Sequence, residues 1–241
     1  MAGGAATRRM GGAAVHRAWR VETGGWSVIV NPAIVAIGGI FVLGGVLAER
    51  LASVWPADEA QRRPIGWRTV VIALVSGMAA AAVAYRSHLP WWATGVYLVL
   101  LALLLVLTAT DLEQRRLPHL VLDPLILLSV LFVPLNPGVD PLMAVIGAAA
   151  AVGFLGALAI VVRGGLALGD LYLVTPIGLM LGWPAIFSAL FAAAFLSAGA
   201  SLALLAARRV GMRSYIPFGP FLVAGAVLVL LLDERLLSVL R

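Results

Sequence analysis

The feature that most constrains this chain is a series of long apolar runs separated by short polar breaks. Apolar side chains make up 62% of the 241 residues and charged side chains only 12%, whereas soluble domains carry about 25% charged residues. A compact soluble domain of this size cannot hide that much apolar surface from water. The pattern therefore excludes a soluble globular enzyme, a disordered chain and a nucleic-acid-binding domain, and it predicts an all-α polytopic membrane protein.

The apolar runs predict about eight transmembrane helices, since one membrane span needs about 20 residues and tilted or thinned regions tolerate fewer. The runs are Trp26–Ala48, Thr69–Tyr85, Trp91–Thr110, Leu120–Pro134, Leu142–Val162, Leu171–Leu181, Ala185–Ala206 and Ile216–Leu232. The sixth is short and contains a proline, so seven spans with a re-entrant segment is the alternative. Residues 1–25 are predicted to be a mobile N-terminal tail, and residues 26–241 a single membrane-embedded domain.

The arginines predict the orientation of the chain in the membrane. All 17 basic residues are Arg, and alternate breaks between the apolar runs are rich in them. The positive-inside rule places these breaks in the cytoplasm, and Trp91, Trp92 and Trp183 then lie at the outer interface. The four arginines of the tail fall on the opposite side, which leaves the N-terminal topology open. We interpret the net charge of +6 as a membrane-orienting feature, with lipid and not nucleic acid as the partner.

The sequence contains no Cys and only three His. Disulfides, thiol nucleophiles and cysteine-based zinc sites are therefore excluded. We predict neither a metal site nor a cofactor.

Two of the 11 acidic residues lie where an ionisable group is costly. Asp111 follows the third apolar run and Asp170 begins the sixth, both at the cytoplasmic edge of the membrane, so both are candidate functional residues. Two carboxyl groups that meet at one face can share a proton, and together they can activate a water and protonate a leaving amine. The alternative is a pair of solvated boundary acids, with Asp111 as a cap and Asp170 near a helix N-terminus.

Unusual sequences surround both residues. Asp111-Leu-Glu-Gln-Arg-Arg-Leu-Pro118 ends one helix, crosses a basic loop and begins the next helix with a proline. Gly164-Gly-Leu-Ala-Leu-Gly-Asp170 is a glycine-rich entry into a helix, in which Gly169 permits a tight turn and close approach to a substrate strand. Ile216-Pro-Phe-Gly-Pro-Phe221 is a rigid turn before the last run.

These three segments, in this order, resemble the type IV prepilin peptidases, a family of GxGD intramembrane aspartic proteases. The matching residues are Asp111, Pro118, Gly169, Asp170, Gly182, Trp183, Pro217, Phe218, Gly219 and Pro220. The resemblance covers about residues 95–232. It implies a peptidase domain that removes a short basic leader from prepilin or pseudopilin precursors at the cytoplasmic face of a prokaryotic plasma membrane. It also implies that Asp111 and Asp170 are the catalytic pair and that Gly169 shapes the active-site loop.

The chain departs from the family pattern in four respects. Longer members carry two Cys-x-x-Cys pairs in the first cytoplasmic loop and also N-methylate the new terminus with S-adenosylmethionine, but this chain has no Cys. The first Gly of GxGD is Ala167, the Lys two residues after the Asp is Tyr172, and the Asn or Asp after the loop proline is His119. The alternatives are an inactive precursor-binding assembly factor and a small transporter that uses the Asp residues as a proton relay.

Four neighbouring residues have competing interpretations. Asp123 could face the cleft and tune the Asp pair, or it could be a helix-start acid favoured by the helix dipole. Tyr172 could bind a substrate carbonyl, or it could be a boundary tyrosine. His119 is predicted to be an interface residue, with a proton relay as the alternative. Glu113 is predicted to be an exposed loop acid paired loosely with Arg115 or Arg116, with binding of a basic leader as the alternative.

Overall fold

The computed structural model is a bundle of helices preceded by a short hairpin. It describes residues 19–23, 26–55, 66–87, 89–161, 167–208, 211 and 217–232. These residues contain eight α-helices: α1 Pro32–Val54, α2 Trp67–Arg86, α3 Trp91–Gln114, α4 His119–Phe132, α5 Pro141–Val161, α6 Leu168–Leu181, α7 Ala185–Ala206 and α8 Gly219–Leu232. A single 3₁₀ turn, Val133–Leu135, follows α4.

The hairpin was not predicted. Strand β1, Trp19–Thr23, pairs antiparallel with β2, Trp26–Val30. The first apolar run therefore begins as a strand, and the helix starts six residues later than predicted, at Pro32. The reason is local, because the Asn31 side chain accepts a hydrogen bond from the Ala33 N–H at 3.0 Å and Pro32 occupies the first turn. Residues 1–18 lie outside the described residues, so the mobile tail and the single domain stay predictions.

The helices confirm the all-α polytopic membrane class. Five of them (α1, α2, α3, α5 and α7) are long and apolar enough to cross a membrane, and α4, α6 and α8 are shorter apolar helices. Large apolar side chains remain exposed along the long helices. In a membrane these faces meet lipid, which explains why the apolar content is far above that of a soluble domain.

The core lies around α3. Leu100, Leu104 and Leu107 are fully buried and form one stripe of this helix, and they pack with buried residues of α4, α6 and α8 such as Leu122, Leu173 and Leu222. Spacings of three and four residues place these side chains on one face of a helix.

Helices α1 and α2 form a closely packed pair beside this core. A Cβ added to Gly45 would lie 2.9 Å from the Ala73 Cα, and one added to Gly77 would lie 2.8 Å from the Gly38 carbonyl oxygen. Only small residues allow such an approach between membrane helices. The pair also contacts α3, the helix that carries Asp111.

Candidate active site

Asp111 lies on the buried face of the last turn of α3. It falls four residues after Leu107 and seven after Leu104, so helical periodicity directs it into the core. It is only 6% exposed. The helix ends soon afterwards, because Arg115 adopts a left-handed conformation with φ 54° and donates its N–H to the Asp111 carbonyl at 2.9 Å.

Asp170 lies in the first turn of α6 and is 3% exposed. Its carboxylate accepts a hydrogen bond from the Ala167 N–H at 3.2 Å, and its own N–H donates to the Ala167 carbonyl at 3.0 Å. This arrangement closes the helix start in the manner of half a capping box. Leu173, Val174 and Ile177 continue the same buried face toward the middle of the bundle.

The two carboxyl groups come from the C-terminal end of α3 and the N-terminal end of α6, and they are close enough for their charges to interact. Two buried carboxylates whose charges interact repel each other, so a state in which the pair holds one proton is favoured.

The turn before α8 covers this pair. A Cβ added to Gly219 would lie 2.6 Å from Asp111 Oδ2 and 3.4 Å from Leu173 Cδ2, so only glycine lets the backbone approach the carboxylate this closely. The rest of the Pro217–Pro220 motif places this glycine, since Phe218 accepts the first helical hydrogen bonds of α8 and Pro220 lies in its first turn. Asp111 Oδ2 is buried without a hydrogen-bond partner among the described residues.

The loops that carry the two motifs also meet. A Cβ added to Gly169 would lie 2.9 Å from Leu117 Cδ1, and Leu117 precedes Pro118, the N-cap of α4. Gly169 therefore brings the α6 entry against the loop that follows Asp111. Ala167, which replaces the first glycine of the family pattern, has φ −84°. An alanine adopts this conformation without strain, and its backbone still binds Asp170.

The side chains of Asp123 and Tyr172 are both exposed. The His119 and Asp123 side chains are 67% and 69% exposed, and His119 Nδ1 lies 3.3 Å from Asp123 Oδ1. Tyr172 is also exposed and packs against His119 with ring centroids 5.6 Å apart and an interplanar angle of 76°. Two of the positions at which the chain departs from the family motif, His119 and Tyr172, are therefore in contact with each other.

Sequence analysis missed the polar contacts that hold the last turn of α3. Glu113 lies within α3, is mostly buried and forms an ion pair with Arg68 of α2 at 3.4 Å, so its interpretation as an exposed loop acid is wrong. Gln114 donates a hydrogen bond to the Ala52 carbonyl of α1. Both partners are distant in sequence, and no local spacing indicates them.

The described part of the chain contains no group of three or more His, Cys, Asp or Glu side chains that could hold a metal ion. Residues 164–166, which begin the glycine-rich entry, and Ile216 lie outside the described residues. The site thus consists of two buried carboxyl groups, the backbone at Gly219 and the contact between two loops.

These features define a membrane protein with a pair of buried carboxyl groups at one end of its bundle. Residues 98–202 match the type IV leader peptidase family, a range that includes both Asp111 and Asp170. This match agrees with the resemblance seen in the motifs and supports a type IV prepilin peptidase.

Curated relatives agree with this assignment. The chain is similar to proteins named prepilin leader peptidase/N-methyltransferase. It is 37% identical over 176 residues to the one from Burkholderia pseudomallei, a stretch covering 70% of this chain and 56% of the relative. It is 31% identical over 178 residues to the one from Aeromonas hydrophila, covering 72% and 61%, and 29% identical over 143 residues to the one from Bacillus subtilis, covering 58% and 56%. The chain thus spans between 56% and 61% of these relatives. No solved structure matches it.

Proposed function

We propose that this chain is a membrane aspartic endopeptidase that removes the leader from prepilin-like or pseudopilin-like precursors. The observation that supports the proposal is a pair of almost fully buried acids, Asp111 at the C-terminal end of α3 and Asp170 at the N-terminal end of α6, whose charges interact. Burying two acidic side chains whose charges repel costs stability, and a purely structural role does not explain that cost.

The helix ends favour different roles for the two acids. Asp170 lies at the N-terminal end of α6, where the helix dipole and the Ala167 N–H stabilise a negative charge. Asp111 lies at the C-terminal end of α3, where the dipole opposes a negative charge, and its Oδ2 makes no hydrogen bond of ordinary geometry with a described residue. We therefore assign Asp170 as the general base and Asp111 as the general acid.

The reaction then proceeds by general acid–base catalysis. Asp170 takes a proton from a water molecule, and the oxygen of that water attacks the carbonyl carbon of the scissile peptide. Asp111 donates a hydrogen bond to the developing oxyanion and then gives its proton to the leaving amine. The C–N bond breaks, and the proton held by Asp170 returns the pair to its singly protonated state.

The substrate and the orientation follow from the family and from the arginine distribution. The precursor has an apolar helix within the membrane and a basic leader in the cytoplasm, and the active site faces the cytoplasm of a prokaryotic plasma membrane. This orientation places the Arg-rich breaks and the site on the same side. No cofactor is part of the proposed peptide cleavage, and methylation of the product is not part of the proposal.

Two other candidate functions receive less support. A proton-relay transporter needs acids along a path through the membrane, whereas Asp111 and Asp170 lie at one end of the bundle and Asp123 is exposed. An inactive assembly factor was suggested by Ala167 and Tyr172. However, Ala167 keeps its backbone contact with Asp170, and Tyr172 has a new partner in His119.

The test is cleavage of a co-expressed pilin-type precursor, scored by gel shift and N-terminal sequencing. We expect cleavage by the wild type and loss of at least about a thousandfold in rate for Asp111→Asn and for Asp170→Asn. Asp123→Asn is the control, since Asp123 is exposed, and it should retain activity. Intact precursor with a folded wild-type protein, across several pilin substrates, would overturn the proposal, as would activity in either catalytic variant.

A further inference from the structure

A cavity of about 130 Å³ lies between α5, α7 and the turn before α8. Its wall is almost entirely apolar, and the residues that carry the argument are Phe154 of α5, Phe191 and Ala194 of α7, and Phe218. The buried Leu155 and Leu190 form its floor, whereas Phe154 and Phe191 are exposed at its rim. The cavity therefore opens sideways, toward the surroundings of the bundle.

Two contacts place this cavity beside the carboxyl pair. Phe218 lines it, and the next residue, Gly219, lies against the Asp111 carboxylate. On α5, Gly156 follows the lining residue Leu155, and a Cβ added to Gly156 would be 3.7 Å from Leu171 Cδ2. Leu171 directly follows Asp170. Phe218 and Leu155 thus connect the cavity, each through the next residue in the chain, to the surroundings of the two acids.

The size of the cavity indicates what it can hold. An apolar cavity of about 150 Å³ accepts a benzene molecule, so this one accommodates a single large side chain. The rings of Phe154 and Phe187 meet at a centroid distance of 5.8 Å and an interplanar angle of 69°, which gives the wall a defined aromatic shape.

We propose that this cavity binds one large apolar side chain, aromatic or branched aliphatic, from the membrane helix of the precursor close to the scissile peptide. The inference rests on the proposed peptidase function and names a specificity site for it. A precursor whose scissile peptide reaches Asp111 and Asp170 extends its membrane helix past this opening. Burying the side chain then fixes the register of the peptide against the two acids. The competing occupant is a lipid acyl chain.

Helix α7 supplies a matched pair for crosslinking. Phe191 and Phe195 lie one turn apart and are both exposed, at 63% and 76%, but only Phe191 lines the cavity. A benzoylphenylalanine photo-crosslinker would replace each in turn in an Asp170→Asn background, which leaves the precursor uncleaved. We expect a precursor adduct from position 191 and none from position 195. Equal adducts at both positions, or lipid adducts alone at position 191, would overturn the proposal.

Kinetics give a second and independent readout. Ala194 lines the cavity, and Ala198 is exposed one turn further along α7 outside it. Ala194→Phe should fill the cavity and raise the KM for the precursor about tenfold or more, the loss expected when a large apolar side chain stays unburied. Ala198→Phe should leave the KM unchanged. Both sites are exposed, so thermal unfolding should match the wild type.

A precursor series completes the test. Replacing the large apolar residues near the cleavage site with Ala, one at a time, should raise the KM of the wild type at one position. For the precursor that lacks this side chain, the KM should be the same with the wild type and with Ala194→Phe. Unchanged kinetics of Ala194→Phe on every precursor would overturn the cavity proposal while leaving the peptidase intact, whereas a wild type that cleaves none would overturn the peptidase function itself.

Discussion

Two clusters of buried polar groups in this protein differ in whether their hydrogen bonds are complete. In the first, Tyr97 of α3 donates a hydrogen bond to the Met180 carbonyl of α6 at 3.1 Å and accepts one from Asn136 Nδ2 at 2.9 Å. Asn136 Oδ1 in turn accepts the Gly138 N–H at 3.0 Å. In the second, Asp111 presents a buried oxygen without a partner in the described residues. The same two helices, α3 and α6, carry both clusters.

The difference distinguishes a cluster that stabilises the fold from a cluster that leaves an acceptor open to a substrate. A buried polar group without a partner costs about 1–3 kcal/mol, and a satisfied one contributes about 1 kcal/mol. The Tyr97 cluster satisfies its members and joins α3, α6 and the turn after α4. The Asp111 and Asp170 cluster leaves an acceptor open, as expected where a substrate supplies the missing partner. Each prediction below tests one side of this contrast.

Among substitutions outside the two acids, the largest effect is expected at Gly219. Gly219→Ala would place a Cβ 2.6 Å from Asp111 Oδ2, so the carboxyl group must move. A displacement of about 1 Å at a catalytic group can cost about 100-fold in rate, and we expect a loss of that order in kcat for precursor cleavage. Gly95→Ala is the control, because nothing lies within 4 Å of its added Cβ. Equal activity of the two variants would contradict the placement of Gly219.

The opposite result is expected at Tyr97. Tyr97→Phe removes the hydrogen bond to Met180 and leaves Asn136 Nδ2 without its acceptor. The free energy of unfolding should fall by about 1–2 kcal/mol, measured by denaturation in detergent, while kcat stays within about twofold of the wild type. A large loss of kcat in a protein of normal stability would show that this cluster also serves catalysis.

A smaller effect is expected at Gly169. Gly169→Ala brings a Cβ to 2.9 Å from Leu117 Cδ1, the end of a flexible side chain that can move aside. We expect cleavage to slow by about three- to tenfold, through a small shift of the Asp170 helix start. Adding Leu117→Ala should restore most of the rate, because it removes the obstacle. If the double variant is no better than Gly169→Ala alone, the contact between the loops is not the cause.

The smallest effect is expected at the exposed pair of His119 and Tyr172. Their edge-to-face contact joins the starts of α4 and α6 and should contribute about 0.5–1 kcal/mol. A double-mutant cycle with His119→Ala and Tyr172→Ala, measured on unfolding, should show a coupling of that size. Zero coupling would mean that the two residues are neighbours without an energetic link.

Most of the helices and the two buried acids beside them could be predicted from sequence because their signals are local. Apolar runs gave eight segments, and the boundaries of α7 matched the prediction at both ends. Asp111 and Asp170 stood out because acids are scarce beside such runs. The start of α1 was predicted too early. The Asn31-Pro32 cap that marks the true start lies inside an apolar run, and the prediction followed the run alone.

The remaining features depend on pairing between distant segments. Tyr97 meets Asn136 and Met180 across 39 and 83 residues, and Arg68 reaches Glu113 from another helix. No periodicity indicates such partners. The Pro217–Pro220 motif was recognised as a rigid turn, but its contact with Asp111 appears only when α8 folds against α3. Asp123 shows another limit of prediction from sequence, because its position near the start of α4 does not indicate that its side chain is exposed.

The most direct test compares Asp111→Asn with Tyr97→Phe in one experiment that records both unfolding and precursor cleavage. The account predicts that Asp111→Asn abolishes cleavage and leaves stability equal to or above that of the wild type, because it removes a buried carboxyl group that lacks a partner. It predicts that Tyr97→Phe cleaves normally and unfolds more easily. Cleavage by Asp111→Asn, or a loss of stability there as large as that of Tyr97→Phe, would contradict the account.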